Sequence, residues 1–209
     1  MSAGFFERIR PLGSLWGTMP LVRATLPDPG AEPDDHLWVA EALAGDHEAF
    51  RHLFERHAPS VRRFLRDLGA DGAFADEGAQ ETFVRAHARL ATLRDDQRVR
   101  PWLLGIARRV FLEELRRRRP RVAPGDLADP VPSPVADLLI AEQVRLFRAA
   151  LGRLTGERRG VVLLRLDHAL SYDEIASVMR MSPAKVRNEL HRGRQELREY
   201  LTPYWEDEP

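Results

Sequence analysis

The stretch "PRVAPGDLADPVPSPV" constrains this chain more than any other, because it places prolines at 120, 124, 130, 132 and 134. Proline lacks a backbone N–H and its ring clashes with the carbonyl four residues back, so no helix interior accepts five at this density. The segment reads as a semi-rigid, extended spacer and a domain boundary. A chain of 209 residues divided there leaves two pieces, each large enough for one small core.

Both pieces read as helical. In "DDHLWVAEALAGDHEAFRHLFERHAPSVRRFLRDLG", Asp35 can cap a first helix, Gly45 and Asp46 end it and cap the next, Pro59 with Ser60 starts a third, and Gly69 closes it. A fourth helix is expected over 75–90, where Ala79, Phe83, Ala86 and Leu90 recur at helical spacing. "ATLRDDQRVR" reads as a polar loop, and Pro101 opens a helix ending in Arg116 to Arg119. Beyond the spacer, helices are expected over 136–151, 155–168, 172–179 and 183–200. No segment alternates with a period of two. The expected architecture is all-α: two small helical domains, 34–119 and 136–201, joined by a flexible proline-rich linker at 120–135. Residues 1–33, with Pro11, Pro20, Pro27, Pro29 and Pro33 and no sustained period, read as a mobile arm in which Met19 offers an alternative start. The acidic end at 202–209 is too short for a domain.

Composition removes several function classes. With no cysteine, disulfides, thiolate zinc sites and thiol nucleophiles are excluded. No apolar run approaches the roughly 18 residues of a membrane span, and the N-terminus lacks a signal-peptide core, which points to the cytoplasm. His47, His52 and His57 recur every five residues, a rotation of about 140° per step that scatters them around a surface helix, whereas metal-binding helices use i, i+4. No phosphate loop, nucleophile elbow or paired-carboxylate arrangement is present, so neither catalysis nor a cofactor is expected. Thirty-two basic residues balance thirty-two acidic ones. Any case for nucleic acid must therefore rest on where the charges lie.

They are well placed in "SYDEIASVMRMSPAKVRNELHRGRQEL", residues 171–197. Ser171 and Glu174 form a capping box, and Ser182 and Pro183 give a second helix its cap and first-turn proline. Val186, Leu190, Gly193 and Leu197 form the inward stripe. Opposite lie Ala184, Asn188, His191 and Gln195, flanked by Lys185, Arg192, Arg187 and Arg194. Glu189, near the core edge, can pair within the helix with Lys185 and Arg192. Two capped helices with a three-residue break are the outline of a helix-turn-helix. Such a unit sets the N-terminal half of its second helix in the major groove, where Arg reads guanine and Asn reads adenine. Periodicity alone also fits an ordinary αα-hairpin with a solvated basic face.

"LTGERRGVVLLRLDHALSYDEIASVMRMSPAKVRNELHRGRQELREYL" resembles the C-terminal domain of extracytoplasmic-function (ECF, group IV) sigma factors, small sigma-70-like initiation subunits of bacterial RNA polymerase. "ALAGDHEAFRHLFERHAPSVRRFL", "ADEGAQETFVRAHARL" and "PWLLGIARRVFLEELRRRR" resemble that family's N-terminal domain, in the same order. The resemblance covers about 35–201 apart from the linker. It implies a region 2-like domain that docks on the polymerase β′ coiled coil and melts the −10 element. It also implies a region 4-like domain that binds the β-flap and reads the −35 element, and an anti-sigma partner that wedges between or wraps the two.

Carried onto this sequence, polymerase docking falls to Asp76, Glu77, Gln80, Glu81, Phe83 and Arg85, and −10 contact and melting to Trp102, Arg108, Arg109, Glu113, Arg116 and Arg117. Reading of the −35 element falls to Ser182, Pro183, Ala184, Lys185, Arg187, Asn188, His191, Arg192 and Arg194. Some positions depart from the pattern: Gly78 stands for a usual Leu, the Asp76–Glu77 order is reversed, Arg109 replaces Asn, Glu113 replaces Asp, Thr155 replaces Pro and Glu189 replaces Arg. Gly78 is expected to weaken its helix by about 1 kcal/mol. The rival reading is a stand-alone helix-turn-helix regulator, which explains 136–201 but leaves the first domain idle.

Overall fold

A computed structural model of the chain describes residues 35–94, 98–117 and 136–206. The expectations for 1–33, for the linker and for Arg118, Arg119 and 207–209 lie outside the described residues. Within them the chain is helical, with no strand: α1 Asp35–Leu43, α2 His47–Leu68, α3 Gly72–Ala88, a 3-10 turn Leu90–Thr92, α4 Val99–Arg117, α5 Ala136–Arg153, α6 Gly156–Leu166, α7 Tyr172–Met179, α8 Pro183–Leu201 and a short α9 Pro203–Glu206.

Helix α2 differs from expectation. Pro59 does not start a new helix but sits inside one 22-residue helix. Burial overrides the missing N–H: Leu53, His57, Val61, Phe64, Leu65 and Leu68 form one unbroken stripe across the proline, and all are buried. Complete burial of Phe64 and Leu65 alone contributes about 1.5–3 kcal/mol each. The ends follow the sequence. Asp46 accepts from the Glu48 N–H at 2.8 Å. At the far end Gly69, at φ +112°, completes a Schellman turn in which the Gly69 and Ala70 N–H groups bond Arg66 and Leu65 carbonyls.

Asp35 is not left to cap its own helix. Its buried carboxylate lies 2.8 Å from His57 Nε2 and 2.9 Å from Arg56 Nη1, tying α1 to α2. Burial opposes its charge, but the hydrogen bonds and charges of His57 and Arg56 prevail and hold the carboxyl below its usual value. His57 is thus a core residue rather than a surface one, while His52 stacks on Trp38 with centroids 5.1 Å apart.

α3 packs across α2 and α4 through Ala79, Phe83 and Ala86, as the spacing predicts. Gly78 has a packing reason: a Cβ there would lie 3.1 Å from Leu65 Cδ1 and 3.4 Å from the Phe74 ring. Helix α4 starts at Val99, two residues before Pro101, so the proline falls in the first turn, where it needs no donor.

In the second domain α6, α7 and α8 form a three-helix cluster closed by α5. Thr155, in place of a family proline, caps α6 by accepting from the Arg158 N–H. After α6 the chain turns at Ala169, at φ +51°, a left-handed conformation that swings His168 and Leu170 inward. The two domains are not apart in this structure. α4 lies against α7, α2 touches α6, and buried apolar residues of both domains form one continuous core.

Candidate nucleic-acid interface

The helix-turn-helix forms as its local signals dictate. Ser171 Oγ accepts from the Glu174 N–H at 3.2 Å and Glu174 Oε2 accepts from the Ser171 N–H at 2.8 Å, so the capping box is complete. α7 ends in a Schellman turn with Arg180 left-handed at φ +54°, its N–H and that of Met181 bonding the Ser177 and Ala176 carbonyls. Ser182 then caps α8 through the Lys185 N–H at 3.2 Å. Val186, Leu190, Gly193 and Leu197 are buried. Gly193 is where α8 approaches α6: a Cβ would stand 2.6 Å from Val162 Cγ2 and 3.0 Å from Arg158 Cγ.

This seating turns Ser182, Pro183, Ala184, Lys185, Arg187, Asn188, His191 and Arg192 outward, all exposed. Arg194 is only half-exposed, near Tyr172 and Arg165, and burial lowers its proton affinity. Of the expected in-helix pairs, Glu189 with Arg192 is kept and Glu189 with Lys185 is not. Glu189 accepts from Arg158 Nε of α6 at 3.0 Å and lies 4.0 Å from Arg192, while Lys185 pairs with Glu157 at 2.8 Å. Glu189 is thereby drawn to the α6 side, while on the outward side of α8 Lys185 holds the Glu157 carboxylate of α6. Arg187 and Asn188 project with no acidic partner among the described residues.

The expected melting residues lie along α4. Trp102 is half-buried against the core, and Arg108 and Arg109 are half-exposed. Burial lowers the proton affinity of both arginines; Glu157 offsets part of this at Arg108, and Arg180 of the second domain adds to it at both. Glu113 is bound by Arg85 Nη1 at 2.7 Å, and Arg116 and Arg117 are exposed at the helix end.

The expected docking residues lie on α3. Asp76, Glu77 and Gln80 are exposed; Asp76 faces Arg62 at 2.5 Å and Glu81 faces Arg85 at 2.6 Å. Arg85 therefore joins two expected surfaces, gripping Glu81 within α3 and Glu113 on α4. Phe83, 4% exposed, is the floor of an open apolar groove, with Phe50, Phe54, Gln80, Val84 and His87 as the remaining lining. Val84, 64% exposed, and Phe54, 37% exposed, were not among the expected residues. The signal was present, since Val84 is an apolar residue lying off the buried stripe of its own helix. No group of His, Asp or Glu able to hold a metal occurs among the described residues, and no described helix is long and apolar enough to cross a membrane.

Comparison with known proteins matches the same two blocks. The model "Sigma-70 region 2" covers residues 53–121 and "Sigma-70, region 4" covers 145–197. The chain is 30% identical over 174 residues to "Probable RNA polymerase sigma factor RfaY" of Xanthomonas campestris, which is 79% of this chain but 44% of that protein's length. It is 32% identical over 160 residues to RNA polymerase sigma factor CarQ of Myxococcus xanthus, covering 75% of this chain and 91% of CarQ. The solved structure of CnrH in complex with the cytosolic domain of CnrY superposes with a TM-score of 0.62 at 27% identity, over 81% of this chain and 97% of that one. Two helical domains in the matched order, one ending in a capped helix-turn-helix, place the chain in the sigma-70 family of RNA polymerase sigma factors, within its ECF group.

Proposed function

We propose that this chain directs core RNA polymerase to its promoters by two grips on one tether: α8 on the −35 element, and α4 with the loop before it on the −10 element. α3 and its apolar groove form the dock for the polymerase. Tethering makes the second DNA contact intramolecular, so two weak contacts sum to one selective event. The observation that carries the reading is α8 itself, anchored by Gly193 against α6 with its outer side exposed and basic, Arg187 and Asn188 having no acidic partner among the described residues.

In the −35 contact, Arg187 and Asn188 read base edges, while Lys185, Arg192, Arg194 and the capped N-terminus of α8 at Ser182 and Pro183 hold phosphates. Ala184 and His191 complete the surface that enters the groove. In the −10 contact, opening DNA costs a few kcal/mol per base, which Trp102 offsets by stacking and Arg108, Arg109, Arg116 and Arg117 by holding the strand. Glu113 keeps Arg85 in place behind them. The chain performs no catalysis of its own, needs no cofactor, acts in the cytoplasm, and is held in check by an anti-sigma protein.

The experiment is reconstitution. Added to core polymerase, the chain yields transcripts from a discrete set of genomic fragments, and Gln80→Ala with Val84→Asp lowers polymerase affinity at least tenfold. A transcript pattern unchanged by adding the chain, or sequence-specific DNA binding by residues 136–201 alone as tight as that of the holoenzyme, refutes it. The second result would favour the stand-alone regulator.

A further inference from the structure

Two carboxylates of α8, Glu189 and Glu196, lie on the edge of the helix beside its outer side, and one side chain of α6 takes both. Arg158 Nε donates to Glu189 Oε2 at 3.0 Å, and its Nη1 bonds Glu196. Glu189, Gly193 and Glu196 stand at i, i+4 and i+7, one row along the helix. Gly193 opens that row. A Cβ there would lie 3.0 Å from Arg158 Cγ, so the arginine stem passes the glycine between the two carboxylates.

The start of α6 aims Arg158 at this row. Thr155 accepts from the Arg158 N–H and so fixes the backbone of the first turn. The adjacent Glu157 reaches Lys185 of α8 at 2.8 Å. The first turn of α6 therefore delivers a base and an acid to α8 side by side.

Burial decides which base Glu189 takes. The Arg158 and Glu189 side chains are 13% and 12% exposed. Arg192, the other base beside Glu189, is 65% exposed and stands 4.0 Å away, beyond hydrogen-bond distance. The pair at 3.0 Å is shielded from water and little screened by salt, whereas an exposed partner is screened strongly. Arg192 thereby keeps its guanidinium turned to solvent. Without Arg158 the choice reverses. Glu189 is three residues before Arg192 and four after Lys185, the two spacings at which side chains meet on a helix surface. A carboxylate released there draws Arg192 into an internal pair, and the outer side of α8 loses one cation.

We infer that Arg158 is a positioning residue for the DNA contact: by withdrawing the Glu189 and Glu196 carboxylates to the α6 side, it leaves Arg192 able to hold a phosphate. This inference rests on the promoter-binding reading above and adds to it a residue that does not touch DNA. Counterion release sets the magnitude. Each phosphate neutralised on B-form DNA contributes salt concentration to the power of about −0.9, so one contact fewer lowers affinity roughly fivefold at about 0.15 M salt.

The parent, Arg158→Gln, Glu189→Gln and the double variant are compared. Each is titrated by fluorescence anisotropy over about 0.05–0.2 M salt, as the full chain on a mixed-sequence duplex and as reconstituted holoenzyme on a −35 duplex from a transcribed fragment. Thermal melts accompany each. Expected for Arg158→Gln is roughly fivefold weaker binding at about 0.15 M salt, with a salt slope flatter by about 0.9. Glu189→Gln alone should stay within about twofold of the parent. Adding Glu189→Gln to Arg158→Gln should restore both affinity and slope, although the Arg158 side chain and its bond to Glu196 are still gone. A merely structural Arg158 gives the opposite pattern: the double variant binds as weakly as the single one, and the slope does not change. Either result overturns the inference. So does a Glu189→Gln protein that binds roughly fivefold more tightly than the parent with a steeper slope, because Glu189 would then already hold Arg192. That comparison stands even where Arg158→Gln fails to fold. If no fragment is transcribed, the promoter reading falls separately, while the slopes on the mixed-sequence duplex still decide the role of Arg158.

Discussion

Two glycine-to-alanine exchanges in neighbouring helices should have opposite signs. In a helix interior the exchange gains about 1 kcal/mol from propensity alone. At Gly193 that gain meets an obstacle: the new methyl would stand 2.6 Å from Val162 Cγ2. Val162 is fully buried and β-branched, hence stiff at χ1, and cannot rotate away. Arg158, whose Cγ would lie at 3.0 Å, is tethered to Glu189 and Glu196. Both neighbours must be pushed, so the cost belongs in the upper part of the roughly 1–3 kcal/mol range for overpacking, and the net is a loss of about 1–2 kcal/mol. At Gly152, near the end of α5, nothing lies within 4 Å of the added methyl, and a gain of about 0.5 kcal/mol remains. At about 2–4 °C per kcal/mol for a chain of this size, calorimetry should find Gly193→Ala melting roughly 2–8 °C lower and Gly152→Ala about 1–2 °C higher. Because Gly193 sets how far α8 stands from α6, the first variant should also lose transcription from promoters that depend on their −35 element. A Gly193→Ala protein as stable as its parent would mean that α8 is not seated as described.

Removing the caps tests the helix-turn-helix more directly: Ser182→Ala and Ser171→Ala should each cost about 1 kcal/mol in urea melts, and Ser182→Ala alone should also weaken −35 binding. Arg187→Ala should cost about 1–3 kcal/mol of DNA affinity and relax base preference at one position; an equal loss on every promoter variant would place Arg187 on a phosphate instead. The α6–α7 turn should respond to pH through two opposed groups. Burial, with the neighbouring Asp67 carboxylate of α2 adding to it, pushes the Asp167 carboxyl up to about 6 against the opposing charges of Arg63 and of Arg148 on α5. Its contribution to stability is therefore full below about pH 4 and lost as pH rises through 6. Burial, with Arg100 of α4 and Arg63 adding to it, pushes His168 down to about 3, so its contribution is present above about pH 6.5 and lost as pH falls. The parent should then show nearly flat stability between pH 4 and 6. Asp167→Asn should lose stability on acidification and His168→Gln on alkalinisation, and parallel profiles for the two variants would contradict the assignment.

What could be read in advance was whatever short-range chemistry decides. The bounds of α7 are matched to the residue, because a capping box, a three-residue break and a first-turn proline act within four positions of each other. The inward stripe of α8 follows from the same periodicity. Pro59 misled because its local signal is a helix start, whereas the outcome was decided by a stripe that runs through it from Leu53 to Leu68. Glu189 was placed at the right angle and lies near one expected partner, Arg192, but its shorter contact is to Arg158 of another helix and Lys185 turns to Glu157. His57 looked like a surface residue until Asp35 arrived from α1. The contacts between domains, such as Arg63 with Asp167, left no trace in periodicity, for they depend on how two finished surfaces meet.

A net charge of zero is itself informative once the partners are known. The acids are placed within the fold: Glu48 and Glu55 on Arg51, Asp76 on Arg62, Glu81 and Glu113 on Arg85, Glu189 and Glu196 on Arg158, and Glu157 on Lys185. Most of these pairs are exposed and contribute little to stability. Their effect is on where positive charge remains among the described residues, which includes the outer side of α8 and the part of α4 that carries Arg108 and Arg109. A strongly basic chain of this size would coat any duplex through phosphate contacts alone and dissociate steeply with salt. Pairing acids with bases inside the fold keeps the number of phosphates neutralised by the described residues of either domain small, so affinity must come from joining the two grips rather than from either alone. That requirement matches a subunit that acts only when a larger enzyme holds its domains at promoter spacing.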